Sequence, residues 1–104
     1  MRRDVFHAIA DPTRREIIHL LADQNLNLNA VAKNFSISRP AISKHVKILT
    51  ECGLVRIQKK GRERICEAQL EKLSEISAWL ASYQKFWTNK LDALDQFLQS
   101  KPEE

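Results

Sequence analysis

Between Leu73 and Leu98, eight apolar residues recur at steps of three and four: Leu73, Ile76, Leu80, Tyr83, Trp87, Leu91, Leu94 and Leu98. That spacing follows the 3.6-residue helical period and puts all eight side chains on one stripe. It predicts a helix from about Leu70, of roughly 30 residues and about 45 Å. Five of the chain's seven aromatics, Trp79, Tyr83, Phe86, Trp87 and Phe97, fall in this stretch. A compact unit of about 65 residues has no second core large enough to hide such a stripe, and bare exposure would leave a large apolar patch. The expected cover is the same helix of a second copy, joined by the first helix, because two-fold pairing is the commonest oligomeric arrangement. The candidate dimerisation residues are Val5, Phe6, Ile76, Trp79, Leu80, Tyr83, Trp87, Leu91 and Leu94. Packing within one copy is the competing reading.

Helices should dominate the rest of the chain too. Two glycines and three prolines in 104 residues leave little turn material,. The length suits a single domain over 1–104,. Two cysteines are too few for a disulfide framework, so a reducing cytoplasm is expected,. No apolar run reaches the roughly 18–20 residues of a membrane span, and the start, Met1-Arg2-Arg3-Asp4, carries no secretion signal, so no membrane partner is expected,.

Charge is unevenly placed. Residues 1–32 are neutral, residues 33–64 carry nine basic and two acidic side chains, and residues 67–104 carry four basic and seven acidic. A middle third at +7 suggests a surface that meets a polyanion, although a solvated basic face has the same composition,. Spacing has to decide.

Residues 2–10 read as a short helix with Val5, Phe6 and Ile9 on one face,. Asp11 can cap a second helix that Pro12 opens and that runs to about Asp23,. Asn27 can cap a third, from Leu28 to Asn34, and Ser38 a fourth, which ends at Gly53,. The period then changes. Val55-Arg56-Ile57-Gln58-Lys59 alternates, Lys60-Gly61 turns, and Arg62 to Glu67 returns, which makes the one convincing hairpin,. Short helices joined by tight turns and followed by a hairpin describe a helix-turn-helix with a β-wing over 10–67, with segments 1–10 and 69–100 left for dimerisation. The predicted fold is therefore mainly α with one β-hairpin, a winged helix-turn-helix with a long C-terminal dimerisation helix.

The fourth helix has two faces. At about 100° per residue, Ile42, Val46 and Leu49 share a core side, while Pro40, Ser43, Lys44 and Lys47 share the opposite one. Ser43 suits a base edge, and Lys44 and Lys47 suit guanine acceptors or phosphates. Ser38 and Arg39 lie where such a helix meets the DNA backbone. His45 sits at the margin, and packing and DNA contact both remain open for it. The hairpin gathers Lys59, Lys60, Arg62 and Arg64 around its glycine, where their mutual repulsion would be relieved by phosphate,. The expected partner is double-stranded DNA, read by a homodimer. No paired acids, nucleophile–base pair or phosphate-cradling glycine loop appears, so enzymatic chemistry is not expected.

These residues resemble a known family. Ala8 to Ile17, reading AIADPTRREI, resembles the opening stretch of ArsR-family winged-helix regulators. Ser38 to Leu49 with Gly53-Leu54-Val55 is similar to that family's recognition helix and its exit into the wing, and Gly61 to Arg64 to its wing turn. The resemblance covers most of residues 4–66 and implies a dimeric repressor released from its operator by a signal. It departs from the metal-sensing members. The third helix has no thiol, the last helix has no histidine, and His7, His19 and His45 are scattered. No cofactor and no metal site is therefore expected, because zinc wants four clustered N or S ligands. A metal- or thiol-responsive sensor on the same fold, through Cys52 or Cys66, is the alternative reading. The effector stays open.

Overall fold

A computed structural model describes residues 4–100, and they divide along the chain at Ser74 into two units. The first unit runs α1 (Val5–Ile9), α2 (Pro12–Asp23), β1 (Leu26–Asn27), α3 (Leu28–Ala32), α4 (Arg39–Glu51), β2 (Val55–Lys60) and β3 (Glu63–Ala68), then a 3-10 turn over Leu70–Leu73. The second is carried by the helix α5 (Ser74–Ser100).

Four helices start on a side-chain cap. Asp4 accepts from the His7 amide at 2.9 Å, Asp11 from Arg14 at 3.0 Å, Asn27 from Ala30 at 2.8 Å and Ser38 from Ala41 at 3.3 Å. Each acceptor satisfies an amide that has no partner within its helix. At the other end of α4, Gly53 turns left-handed at φ 81°, and the Leu54 amide donates to the Leu49 carbonyl at 3.0 Å. Leu54 is thereby folded back into the core, as its position after the glycine predicts,.

The core is built from Ile17 and Leu21 of α2, Val31 of α3, Ile42, Val46 and Leu49 of α4, and Val55 and Cys66 of the sheet, all nearly inaccessible. α1 adds Val5 and Ala8, not the expected Val5, Phe6 and Ile9 face, and Phe6 remains 38 % exposed. The reason is angular: at about 100° per residue Val5 and Ala8 lie about 60° apart, whereas Phe6 points about 160° from Ala8. The expected residues 2 and 3 of this helix lie outside the described residues.

The carbonyls of so short a helix cannot be satisfied internally. Two side chains of α2 reach back to them. Arg14 donates from Nε to the Ala8 carbonyl at 2.8 Å and from Nη2 to that of His7 at 2.9 Å, and Arg15 donates to Ile9 at 2.6 Å. Arg14 is only 8 % exposed.

The expected hairpin is present, and a third strand joins it. β1 pairs antiparallel with β3, Leu26 opposite Cys66 and Asn27 opposite Ile65, giving the strand order β1-β3-β2. Two residues are too few to show a strand period, so the sequence reads only as a break there. α3 also stops at Ala32, short of Asn34, and α5 takes up regular α geometry after the 3-10 turn.

Candidate nucleic-acid interface

α4 buries Ile42, Val46 and Leu49 and turns its other side outward. Pro40, Lys44 and Lys47 are exposed and Ser43 is half-buried, so the four residues assigned to one face do lie away from the core. Ser38 and Arg39 at its start are exposed as well.

The hairpin keeps full register from Val55 opposite Ala68 to Lys60 opposite Glu63. Gly61 alone in its turn has positive φ, 63°, with Arg62 following at negative φ, the pattern of the two-residue II′ turn,. Lys59 stands directly opposite Arg64, a like-charge pair that costs stability unless an anion lies nearby,. Lys59, Lys60, Arg62 and Arg64 are all exposed. Arg56 is differently placed: its Nη2 sits 2.7 Å from Glu67 Oε2, which offsets its charge locally.

α4 and the hairpin meet across an open cleft of about 390 Å³. Arg39 and Ser43 line it from the helix, and Arg62 and Arg64 from the hairpin. Asn27 and Asn29 form part of the wall. Arg39 donates from Nε to Asn29 Oδ1, and Asn27 donates to Glu63 Oε1 at 3.2 Å. Neither asparagine can be recognised as a site residue from sequence, since each neighbour lies ten or more positions away. A second, more apolar cleft of about 320 Å³ shares Ser43 and Arg64 with it and is lined also by Lys47, Ile57 and Cys66. Burial pushes the Cys66 thiol up from its ordinary range.

His45 stands apart from this face. Its Nδ1 is buried, without a hydrogen-bond partner, 3.8 Å from Asp11 Oδ2. Of the two roles left open for His45, this Nδ1 side of the ring fits packing against the start of α2. Asp11 feels it: burial raises the carboxyl's pKa most, but the Arg14 amide, the charges of His45 and Arg14, and the Thr13 amide together hold it below 3.8.

α5 carries the expected apolar face. Trp79, Leu80, Tyr83, Trp87, Leu91 and Leu94 are 48–63 % exposed, and Ile76 is half-buried. Trp79 meets Tyr83 edge-on at 5.3 Å and Phe86 meets Trp87 at 5.8 Å, while Lys90 Nζ lies 5.3 Å from the Phe86 ring centre. Val5, assigned to the same role, is 1 % exposed inside the first unit and offers no surface to a second copy. Its side chain belongs to the core of the first unit instead, and of that pair only Phe6 stays accessible. Among the described residues no three His, Cys, Asp or Glu side chains are grouped to hold a metal ion, and no helix is long and apolar enough to cross a membrane.

Comparison with known proteins gives these features a context. The family described as "Bacterial regulatory protein, arsR family" matches residues 11–56. The transcriptional repressor SdpR of Bacillus subtilis is 32 % identical over 80 residues, covering 77 % of this chain and 89 % of its own. The HTH-type transcriptional regulator Rv2034 of Mycobacterium tuberculosis is 32 % identical over 96 residues, covering 92 % and 87 %. Among solved structures, an ArsR-like transcriptional regulator from Rhodococcus sp. RHA1 superposes with a TM-score of 0.70 at 34 % identity, covering 93 % of this chain and 92 % of that one.

Proposed function

The chain belongs to the arsR family of bacterial regulatory proteins and is a DNA-binding transcriptional regulator, and we propose that it acts as a homodimeric repressor on a palindromic operator. One observation carries the reading. Arg39 and Ser43 of α4 and Arg62 and Arg64 of the hairpin line a single cleft open to solvent, and Lys44 and Lys47 are exposed on the outward face of the same helix. α4 fits the major groove, where Ser43 meets base edges and Lys44 and Lys47 meet guanine or phosphate. Ser38, Arg39 and Pro40 approach the backbone, and Lys59, Lys60, Arg62 and Arg64 follow it along the wing. Pairing through α5 would set two such helices about one DNA turn apart, roughly 34 Å. The protein works in the cytoplasm, on double-stranded DNA, by binding rather than by chemistry.

The test is an affinity series over salt concentration, with DNA from upstream of the protein's own operon. Each phosphate contact adds about 0.9 to the slope of log K against log salt. Lys44→Ala with Lys47→Ala should lower that slope by up to about 1.8 per bound protomer and weaken binding at least tenfold. Both side chains are exposed, so the melting temperature should hold,. A double variant with wild-type affinity and slope overturns this reading.

A further inference from the structure

Resting on that reading, we propose that the cleft between α4 and the hairpin is a single phosphodiester site, shared by Arg39 and Arg64 and shaped by Asn29. Three arginines, Arg39, Arg62 and Arg64, line one cleft with a single acidic residue, Glu63. Cations this crowded favour an anion, and a guanidinium offers a planar fork that matches phosphate oxygens. Glu63 is held to the wall by the Asn27 amide and stands opposite Lys60 across the hairpin, so its charge is partly answered on its own side.

Asn29 is the positioning residue. Its Oδ1 accepts from Arg39 Nε. Arg carries five N–H donors, and engaging the one on Nε leaves the four on the two terminal nitrogens for a partner. The bond also fixes a long side chain that would otherwise lose rotamer freedom on binding. Asn29 belongs to α3 and Arg39 to α4, so the bond sets the guanidinium relative to the packed helix pair rather than to its own helix. Arg64 reaches the same cleft from β3, whose other edge carries β1 and Asn27. Helix and wing thereby close on one phosphate from two sides.

The experiment is a mutant cycle in the same operator assay, read as affinity and salt slope. Arg39→Ala should cost roughly tenfold or more and up to about 0.9 of slope per protomer. Asn29→Ala should cost roughly threefold to tenfold, and nothing further when Arg39 is already Lys, which has no Nε to hold. An equal cost in both backgrounds overturns the positioning role. Arg39→Ala with Arg64→Ala should remove about one phosphate's worth of slope per protomer, not two. A loss near 1.8, with additive free energies, means two separate phosphates and overturns the shared site. Replacing chloride with inorganic phosphate at fixed ionic strength should leave operator affinity unchanged. Displacement by millimolar phosphate would mean that the cleft takes a free anion instead, and also overturns the assignment. If Lys44 and Lys47 matter but the cycle fails, only this site falls; if wild type shows no salt-dependent operator binding, the reading beneath it falls too.

Discussion

Replacing Arg14 should destabilise the first unit more than replacing any neighbouring arginine does. Arg14 is 8 % exposed, and its guanidinium makes two hydrogen bonds, at 2.8 and 2.9 Å, to carbonyls that close a five-residue helix. A helix that short has no stability of its own. A hydrogen bond from a charged donor is worth about 1.5–3 kcal/mol net, and the buried carbonyl of Ala8 would be left without a partner. Against this, Arg14→Met removes the cost of desolvating a charge and keeps apolar contact, recovering about 1 kcal/mol. With two such bonds lost, the expected net loss is about 2–5 kcal/mol, which lowers the melting temperature by roughly 10 °C or more in a domain of this size. Arg14→Lys should recover only part, because one ammonium cannot match a fork that reaches two successive carbonyls. Arg15→Ala, which loses one exposed bond, is the control and should shift the melt by no more than about 4 °C,. Thermal unfolding followed by circular dichroism, at one fixed protomer concentration, reads all three. An Arg14→Met melt within about 2 °C of wild type, or no lower than that of Arg15→Ala, refutes the argument.

Two further outcomes are open to direct measurement. Trp87 is 63 % exposed on α5, and burying it in two copies at once is worth about 3 kcal/mol, so Trp87→Glu should raise the dimer dissociation constant at least about 100-fold by sedimentation equilibrium,. An unchanged constant would take that face out of the interface. The second outcome concerns Asp11, whose carboxyl is held below 3.8 in the folded chain. A lowered folded-state value gives stability that is present above 3.8 and is lost as pH falls through the lowered value,. Urea unfolding from pH 6 down to 3 should therefore show a shallower acid limb for Asp11→Asn, which still caps α2, and identical limbs would contradict the assignment.

What could be read from the sequence and what could not differ in physical kind. The start of α4 at Ser38, its end at Gly53, the turn at Gly61 and the stripe on α5 are local: each depends on a residue type at a fixed offset from its own element,. Period alone also separates the Lys44 and Lys47 face from the Val46 and Leu49 face, and it puts His45 at the margin, where its Nδ1 indeed turns to Asp11. The rest depends on reach. In the sequence Arg14 is one of four basic residues balanced by four acidic ones, indistinguishable from a surface charge, because nothing local says that α1 is too short to satisfy its own carbonyls. Val5 and Phe6 look alike as apolar neighbours, and only the packing of α1 on α2 buries one and leaves the other. Asn29 and Arg39 are ten positions apart, joined through a turn whose geometry composition does not give. The same distinction corrects the charge count. Of the nine cations in residues 33–64, Arg56 is paired with Glu67 and contributes little outward field, whereas Arg39, Arg62 and Arg64 converge on one cleft. An interface for a polyanion is thus set less by the sum of +7 than by β1, the two-residue strand the sequence hides: it holds Asn27 against β3 at one end and leads straight into α3 and Asn29 at the other.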